Sequence, residues 1–174
     1  MIDENSYFMI YTGHGKGKTT AALGMVFRAL GRDLKVAVVQ FVKGKWMTGE
    51  RKFAEGLKNL EFHVMGLGFT WESDDISKDK EAARRAWETS KECILSGKHS
   101  LVVLDEITYA IGYGFIDEDD VRAVIADRPQ GVSVCITGRN ATEALMEQAD
   151  LVTVMEPKKH PYKKGRKAIV GIDY

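Results

Sequence analysis

The chain has 174 residues, 44% of them hydrophobic, and its 25 basic and 25 acidic side chains give a formal net charge of zero. That length suits one domain with a substantial core, since a chain of about 150 residues buries roughly 70% of its unfolded surface. A neutral balance argues against a surface given over to nucleic acid, and no run approaches the roughly 20 apolar residues needed to cross a bilayer.

Met1 to Ser6 is short and acidic and lacks the basic-then-apolar order of a secretion signal, so a cytoplasmic setting is expected. Tyr7 to Tyr11 reads as a first strand that runs into a glycine-rich turn, Gly13 to Gly17. A helix should start near Lys18 and turn Ala21, Ala22, Met25, Val26, Ala29 and Leu30 inward, with Gly31 placed for a left-handed cap. Lys35 to Phe41 carries Val36, Ala37, Val38 and Val39 in one block, the pattern of a strand buried on both faces. Leu60 to Met65 is a weaker strand, followed by the loop Gly66 to Ser77. Lys78 to Ser96 is the longest helical stretch and ends at Gly97. Leu101 to Leu104 is a second wholly apolar block, which stops at Asp105. Then come a short helix Asp117 to Asp127, a buried strand Val132 to Ile136, a helix Ala141 to Ala149 and a strand Leu151 to Met155.

No repeat, low-complexity tract or linker divides this order, so 1–174 reads as a single domain. Repeated strand-then-helix units with doubly buried strands predict an α/β fold, a mostly parallel sheet flanked by helices on both faces. In such folds ligands bind beyond the C-terminal ends of the strands. The two cysteines, Cys93 and Cys135, stand far apart and outside any Cys-x-x-Cys pair, as reduced buried thiols do. None of His14, His63, His99 and His160 has metal-ligand spacing to another, and no zinc site is expected.

The strongest motif is Gly13-His14-Gly15-Lys16-Gly17-Lys18-Thr19-Thr20, set between a strand and a helix. Glycines let backbone N–H groups turn inward around phosphate oxygens, and the helix N-terminus adds a favourable dipole. Lys18 can reach between phosphates, and the Thr19 hydroxyl can join a magnesium shell. The usual pattern wants glycine where this chain has Thr12, and threonine resists positive φ, so the loop should begin unusually. His14 and Lys16 add positive charge, and His14 is equally readable as a solvated turn residue.

Asp105 and Glu106 close an apolar strand, where an acid of a phosphate-loop protein holds magnesium. Glu106 would activate water in an ATPase and would orient metal or substrate in a group-transfer enzyme. Gln40, Lys43 and Arg139 follow strands, and Arg28 lies on the first helix; each is a site candidate or an ordinary surface residue. A guanidinium beyond a strand end suits phosphate or ribose, which favours Arg139. In Gly66-Leu67-Gly68-Phe69-Thr70-Trp71-Glu72 two aromatic rings sit in a pliable loop. They form either a flap plugging the core edge or a platform for a large flat ligand. From Lys158 to Lys167 the chain packs six Lys and Arg residues into ten, either a solvated face or an attractor of polyphosphate or nucleic acid.

Together these pieces resemble the phosphate-loop ATP:corrinoid adenosyltransferases of the cobalamin pathway. The likeness runs through Thr12 to Thr20, Val39-Gln40-Phe41-Val42-Lys43-Gly44, Gly68 to Glu72, Val103 to Tyr109, Ile136-Thr137-Gly138-Arg139 and Gly171-Ile172-Asp173-Tyr174. The resemblance implies a RecA-like fold, a homodimer, and ATP bound with reversed polarity, so that ribose C5′ faces the reduced cobalt of a corrinoid and triphosphate leaves. By the same resemblance Thr12, Gly13, His14, Gly15, Lys16, Gly17, Lys18, Thr19 and Thr20, with Arg28, Gln40 and Arg139, would bind ATP. Lys18 and Glu106 would be catalytic, Thr19, Asp105 and Glu106 would hold magnesium, and Phe69 and Trp71 would lie against the corrin. A reducing partner such as a flavodoxin-type protein is implied, with no nucleic acid or membrane involved. His14 replaces the usual asparagine, and the chain begins just before the first strand, so closure by an N-terminal extension is not expected. The competing readings are a phosphate-loop ATPase or nucleotide-dependent switch with a basic C-terminal tail, and a phosphoryl-transfer kinase.

Overall fold

The structure is a computed structural model that describes residues 6–42, 47–66, 68, 76–161 and 165–173. Along the chain run β1 (Phe8–Thr12), α1 (Lys18–Leu30), β2 (Val36–Gln40), α2 (Gly49–Ala54), β3 (Leu60–Val64) and α3 (Ile76–Leu95). They are followed by β4 (Leu101–Asp105), α4 (Ile107–Gly112), α5 (Glu118–Ala126), β5 (Ser133–Thr137), α6 (Glu143–Gln148) and β6 (Leu151–Val154). The strands form one six-stranded sheet in the order β3-β2-β4-β5-β1-β6, and every pairing is parallel.

Alternation along each strand sends side chains to two apolar layers. On one face Ile10, Val39, Leu104 and Ile136 pack beneath Trp87 and Ile94 of α3, Ile107 of α4, Ile125 of α5 and Leu145 of α6. On the other, Val36, Val38, Val103 and Cys135 meet Ala22 and Val26 of α1. Helices therefore cover both faces, as the doubly apolar blocks predict, and β2 and β4 are buried at every position. The edge strand β6 is exposed along its length. Cys93 and Cys135 are free and buried, and burial, aided by Glu61 and Glu92, pushes the Cys93 thiol up to about 11. Among the described residues no helix is long and apolar enough to cross a membrane.

Boundaries fall within one or two residues of expectation, with three differences. Gly31 does not make a left-handed cap: its φ is −65°, and the left-handed residue is Asp33, at φ 58°. Aspartate tolerates that conformation because its short polar chain bonds locally. Helices α2 and α4 are additions. Each is six residues long, too short to show a repeating apolar stripe.

Candidate nucleotide site

β1 hands the chain to the loop at its C-terminal end. Thr12 stays in the strand, buried, with its Oγ1 accepting the Ala141 N–H at 3.2 Å. The turn begins one residue later, where Gly13 takes φ 95°, and it closes at Gly17 with φ 117°. Threonine thus escapes the strained conformation, and its hydroxyl is committed to the segment before α6 instead of the loop's mouth. Gly13 and Gly15 must lack side chains for a second reason: an added Cβ would sit 2.5 Å and 2.7 Å from the Met155 carbonyl oxygen. Gly15 N–H donates to that same oxygen at 2.6 Å, so the end of β6 clamps the loop.

Gly17 precedes α1 without capping it through a side chain. The first-turn amides and the helix dipole therefore present positive potential to the loop. Lys18 folds back over the loop, donating from Nζ to the carbonyls of Gly13 and Gly15, both at 2.8 Å. Burial and the Arg139 charge hold its ammonium below the usual lysine range, against the opposing pull of Glu106 and Asp105.

Asp105, 1% exposed, ends β4 and is gripped from three elements. Thr19 of α1 donates to its Oδ1 at 2.9 Å, Thr137 of β5 to Oδ1 at 2.7 Å, and Gln40 of β2 to Oδ2 at 2.9 Å. Glu106 follows in the left-handed region at φ 65°, and its N–H donates to Thr137 Oγ1 at 2.9 Å. Holding a non-glycine residue there costs on the order of 1–3 kcal/mol. The turn sets Glu106 and, one helical turn on, Tyr109 into the wall of a cavity of about 500 Å³. The loop from His14 to Thr20 and Arg139 line the same cavity. Gly138, at φ 141°, lets the chain reach Arg139, since a Cβ there would meet Thr108 Oγ1 at 2.0 Å.

The structure thus gathers His14, Gly15, Lys16, Gly17, Lys18, Thr19, Thr20, Glu106 and Arg139 at one cavity. Four expected ATP contacts do not line it. Gly13 starts the loop, and its carbonyl accepts from Lys18 Nζ at 2.8 Å. Thr12 is packed under the loop. Gln40 is buried behind Asp105 and donates to that carboxylate. Arg28 is exposed near the other end of α1, close enough to the Tyr11 ring to affect its hydroxyl. Lys43, Phe69 and Trp71 lie outside the described residues. Gly66 and Gly68 flank that loop and are tied to the end of β2: Gly66 N–H donates to the Gln40 carbonyl and Gly68 N–H to that of Val42.

Sequence reasoning passed over Leu23, Glu50 of α2, His160 and Asp173, which also line the cavity. Asp173 is ion-paired with Lys16 and accepts the Ile169 N–H at 2.8 Å. Lys16 and that N–H hold its carboxyl below the usual range. His160 sits in the basic run that was readable as a solvated face or a polyphosphate attractor, and Asp173 in the shared ending Gly171-Ile172-Asp173-Tyr174, but neither had an assigned role. A hydroxyl and two carboxylates around one strand end form an all-oxygen donor set, the chemistry that suits a small hard divalent cation.

The sequence model of the family described as ATP:corrinoid adenosyltransferase BtuR/CobO/CobP matches residues 4–174. The chain is 45% identical to a corrinoid adenosyltransferase of Sinorhizobium sp, covering 99% of this chain and 82% of that one. It is 41% identical to the corrinoid adenosyltransferase of Escherichia coli strain K12, over 99% of this chain and 87% of the relative. It is 40% identical to the corrinoid adenosyltransferase CobA of Salmonella typhimurium strain LT2, with the same coverage of 99% and 87%. The flagellar accessory protein FlaH from Methanocaldococcus jannaschii superposes with a TM-score of 0.56 at 13% identity, over 88% of this chain and 72% of that one. That last likeness concerns the fold alone.

Proposed function

The chain belongs to the ATP:corrinoid adenosyltransferases and moves the adenosyl group of ATP to a corrinoid; we propose that its loop grips the triphosphate so that ribose C5′, not the terminal phosphorus, faces the second substrate. The observation that carries the grip is the convergence of Lys18, Arg139 and the uncapped start of α1 on one cavity of about 500 Å³, and the orientation follows from the transfer of an adenosyl group, which needs C5′ exposed. A polyphosphate anchored there is neutralised along its length, which favours its departure as a leaving group.

The reduced cobalt of the corrinoid supplies the electron pair. The C5′–oxygen bond breaks as the cobalt–carbon bond forms, and triphosphate carries away the pair from the broken bond. Cobalt is itself the nucleophile, so the reaction needs no protein base. The protein's work is positioning and charge neutralisation. Lys18 holds the loop closed through Gly13 and Gly15 until phosphate oxygens replace those carbonyls as its partners. Thr19, Asp105 and Glu106 would hold magnesium, and Gln40 and Thr137 fix the Asp105 carboxylate for that duty. The ion, when bound, adds positive charge beside the phosphates. Glu106 orients it or the substrate.

Phe69 and Trp71 would lie against the lower face of the corrin, where apolar rings exclude water and protect the reduced cobalt. The chain works in this reading as one adenosyltransferase domain over 1–174, in a cytoplasmic homodimer supplied by a reducing partner of flavodoxin type. ATP, magnesium and a chemically reduced corrinoid, cobalamin or its a,c-diamide precursor, form the test. The light-sensitive adenosylated spectrum should grow in step with intact triphosphate. Release of orthophosphate with no cobalt–carbon bond would overturn the proposal.

A further inference from the structure

A second group of reactive side chains lies at the far end of the sheet. Glu61 and His63 are two residues apart on the edge strand β3, so they project from the same face. That face is the one α3 covers, and α3 delivers Cys93 to it from its last turns. One carboxylate oxygen of Glu61, one ring nitrogen of His63 and the Cys93 sulfur all lie within 4.8 Å of one another. His63 Nε2 is shielded from solvent and makes no hydrogen bond among the described residues. Its nearest charged neighbour, Glu61 Oε2, is 3.6 Å away, beyond hydrogen-bond reach. A shielded nitrogen satisfied only by this loose ion-pair contact is one that a bound cation would serve better.

We propose that Glu61, His63 and Cys93 form a site for a zinc-type divalent cation, separate from the nucleotide cavity. One oxygen, one nitrogen and one sulfur ligand suit a borderline metal such as Zn2+ and do not suit magnesium. The Cys93 sulfur binds as thiolate, and its proton passes to solvent. His99 completes the arrangement from the loop before β4. It is buried, with Nε2 3.1 Å from Glu61 Oε1 and Nδ1 3.2 Å from the Cys93 carbonyl oxygen. A histidine that holds a ligating carboxylate in place is the outer-shell support that metal sites use. A cleft of about 740 Å³ opens beside the group, and among the described residues none that lines it lines the nucleotide cavity. Three protein ligands leave a fourth position for water or a small anion. The ion would tie the C-terminal turns of α3 to the sheet edge.

The test is titration of the purified full-length protein with zinc chloride against a chromophoric chelator, with magnesium and ATP present. One equivalent of zinc should bind, and His63→Gln and Cys93→Ala should each weaken binding at least about tenfold, with His99→Gln weakening it about tenfold. Cobalt(II) chloride supplies an independent reading: a thiolate-to-cobalt charge-transfer band should appear in the wild type and vanish in Cys93→Ala, while Cys135→Ala keeps it. Failure of the folded wild type to bind zinc would overturn the proposal, as would unchanged affinity in both ligand variants. If circular dichroism shows a variant unfolded, the wild-type spectrum decides, since bound cobalt without a thiolate band excludes Cys93.

Discussion

The Thr19 hydroxyl donates to Oδ1 of Asp105 at 2.9 Å, joining the first turn of α1, the helix that follows β1, to the end of β4, although β5 lies between β1 and β4 in the sheet. The bond lets the phosphate loop and the acidic strand end move as one unit. Both halves of the nucleotide site are thereby positioned by the sheet, the stiffest part of the molecule, and not by loops alone.

Asp105→Asn keeps the shape and removes one acceptor oxygen. Thr19, Thr137 and Gln40 all donate to that carboxylate, so the amide NH2 must face a donor. We expect a loss of about 1–3 kcal/mol in denaturant unfolding and about a 10–100-fold fall in magnesium-dependent activity. An unchanged unfolding midpoint would contradict the hydrogen-bond account.

Gly13→Ala combines a backbone at φ 95° with a Cβ placed 2.5 Å from the Met155 carbonyl oxygen. Neither partner is a flexible side chain, so the loop and the end of β6 must part. The strain is on the order of 1–3 kcal/mol. Calorimetry should show a lowered Tm together with weakened ATP binding. The same substitution at Gly24, with open space around it, should leave ATP binding unchanged.

Lys18 gives a pH signature. Its folded-state value lies below the ordinary 10.5. Between the two values the unfolded chain holds the proton more tightly, so this residue's term in stability rises with pH there. ATP binding runs the other way, because triphosphate favours the charged ammonium. Affinity should therefore decline on the alkaline side at a pH lower than free lysine would dictate. In Lys18→Arg that decline should disappear from the binding profile, whatever the cost to turnover, because guanidinium stays charged.

Asp173→Ala frees Lys16 from its carboxylate partner. Both groups are near solvent, so the pair is weak and salt-sensitive. Equilibrium binding should show ATP held more tightly, within about fivefold at low ionic strength, with the gain shrinking as salt is added. Weaker binding in the variant would mean that Asp173 contacts the nucleotide or its cation favourably.

Trp71→Ala and Phe69→Ala should raise the corrinoid KM and lower turnover while ATP affinity stays close to wild type. Steady-state kinetics with each substrate varied in turn measures the split. Equal losses toward both substrates would place these rings in the nucleotide pocket or the core.

The sequence by itself determined the fold class and the two chemical strings at the heart of the site. Doubly apolar blocks such as Val36–Val39 and Leu101–Leu104, rich in β-branched residues and set between helical segments, point to strands covered on both faces, and β2 and β4 are buried throughout. Gly13 to Thr20 and Asp105-Glu106 were legible because each is a contiguous run beside a strand end, where local patterning carries the information. The tertiary structure alone decided what surrounds them. Asp173 meets Lys16 from 157 residues away, and Gln40 reaches Asp105 from 65. Thr12, readable as a defective loop residue, turned out to be the strand's last buried position. Glu61 and His63 were adjacent on a strand face, yet Cys93 joins them only because α3 returns over that edge. Periodicity and motif spacing are properties of neighbouring residues. Which strands lie side by side is set by the order of the whole sheet, and no short window of sequence contains it.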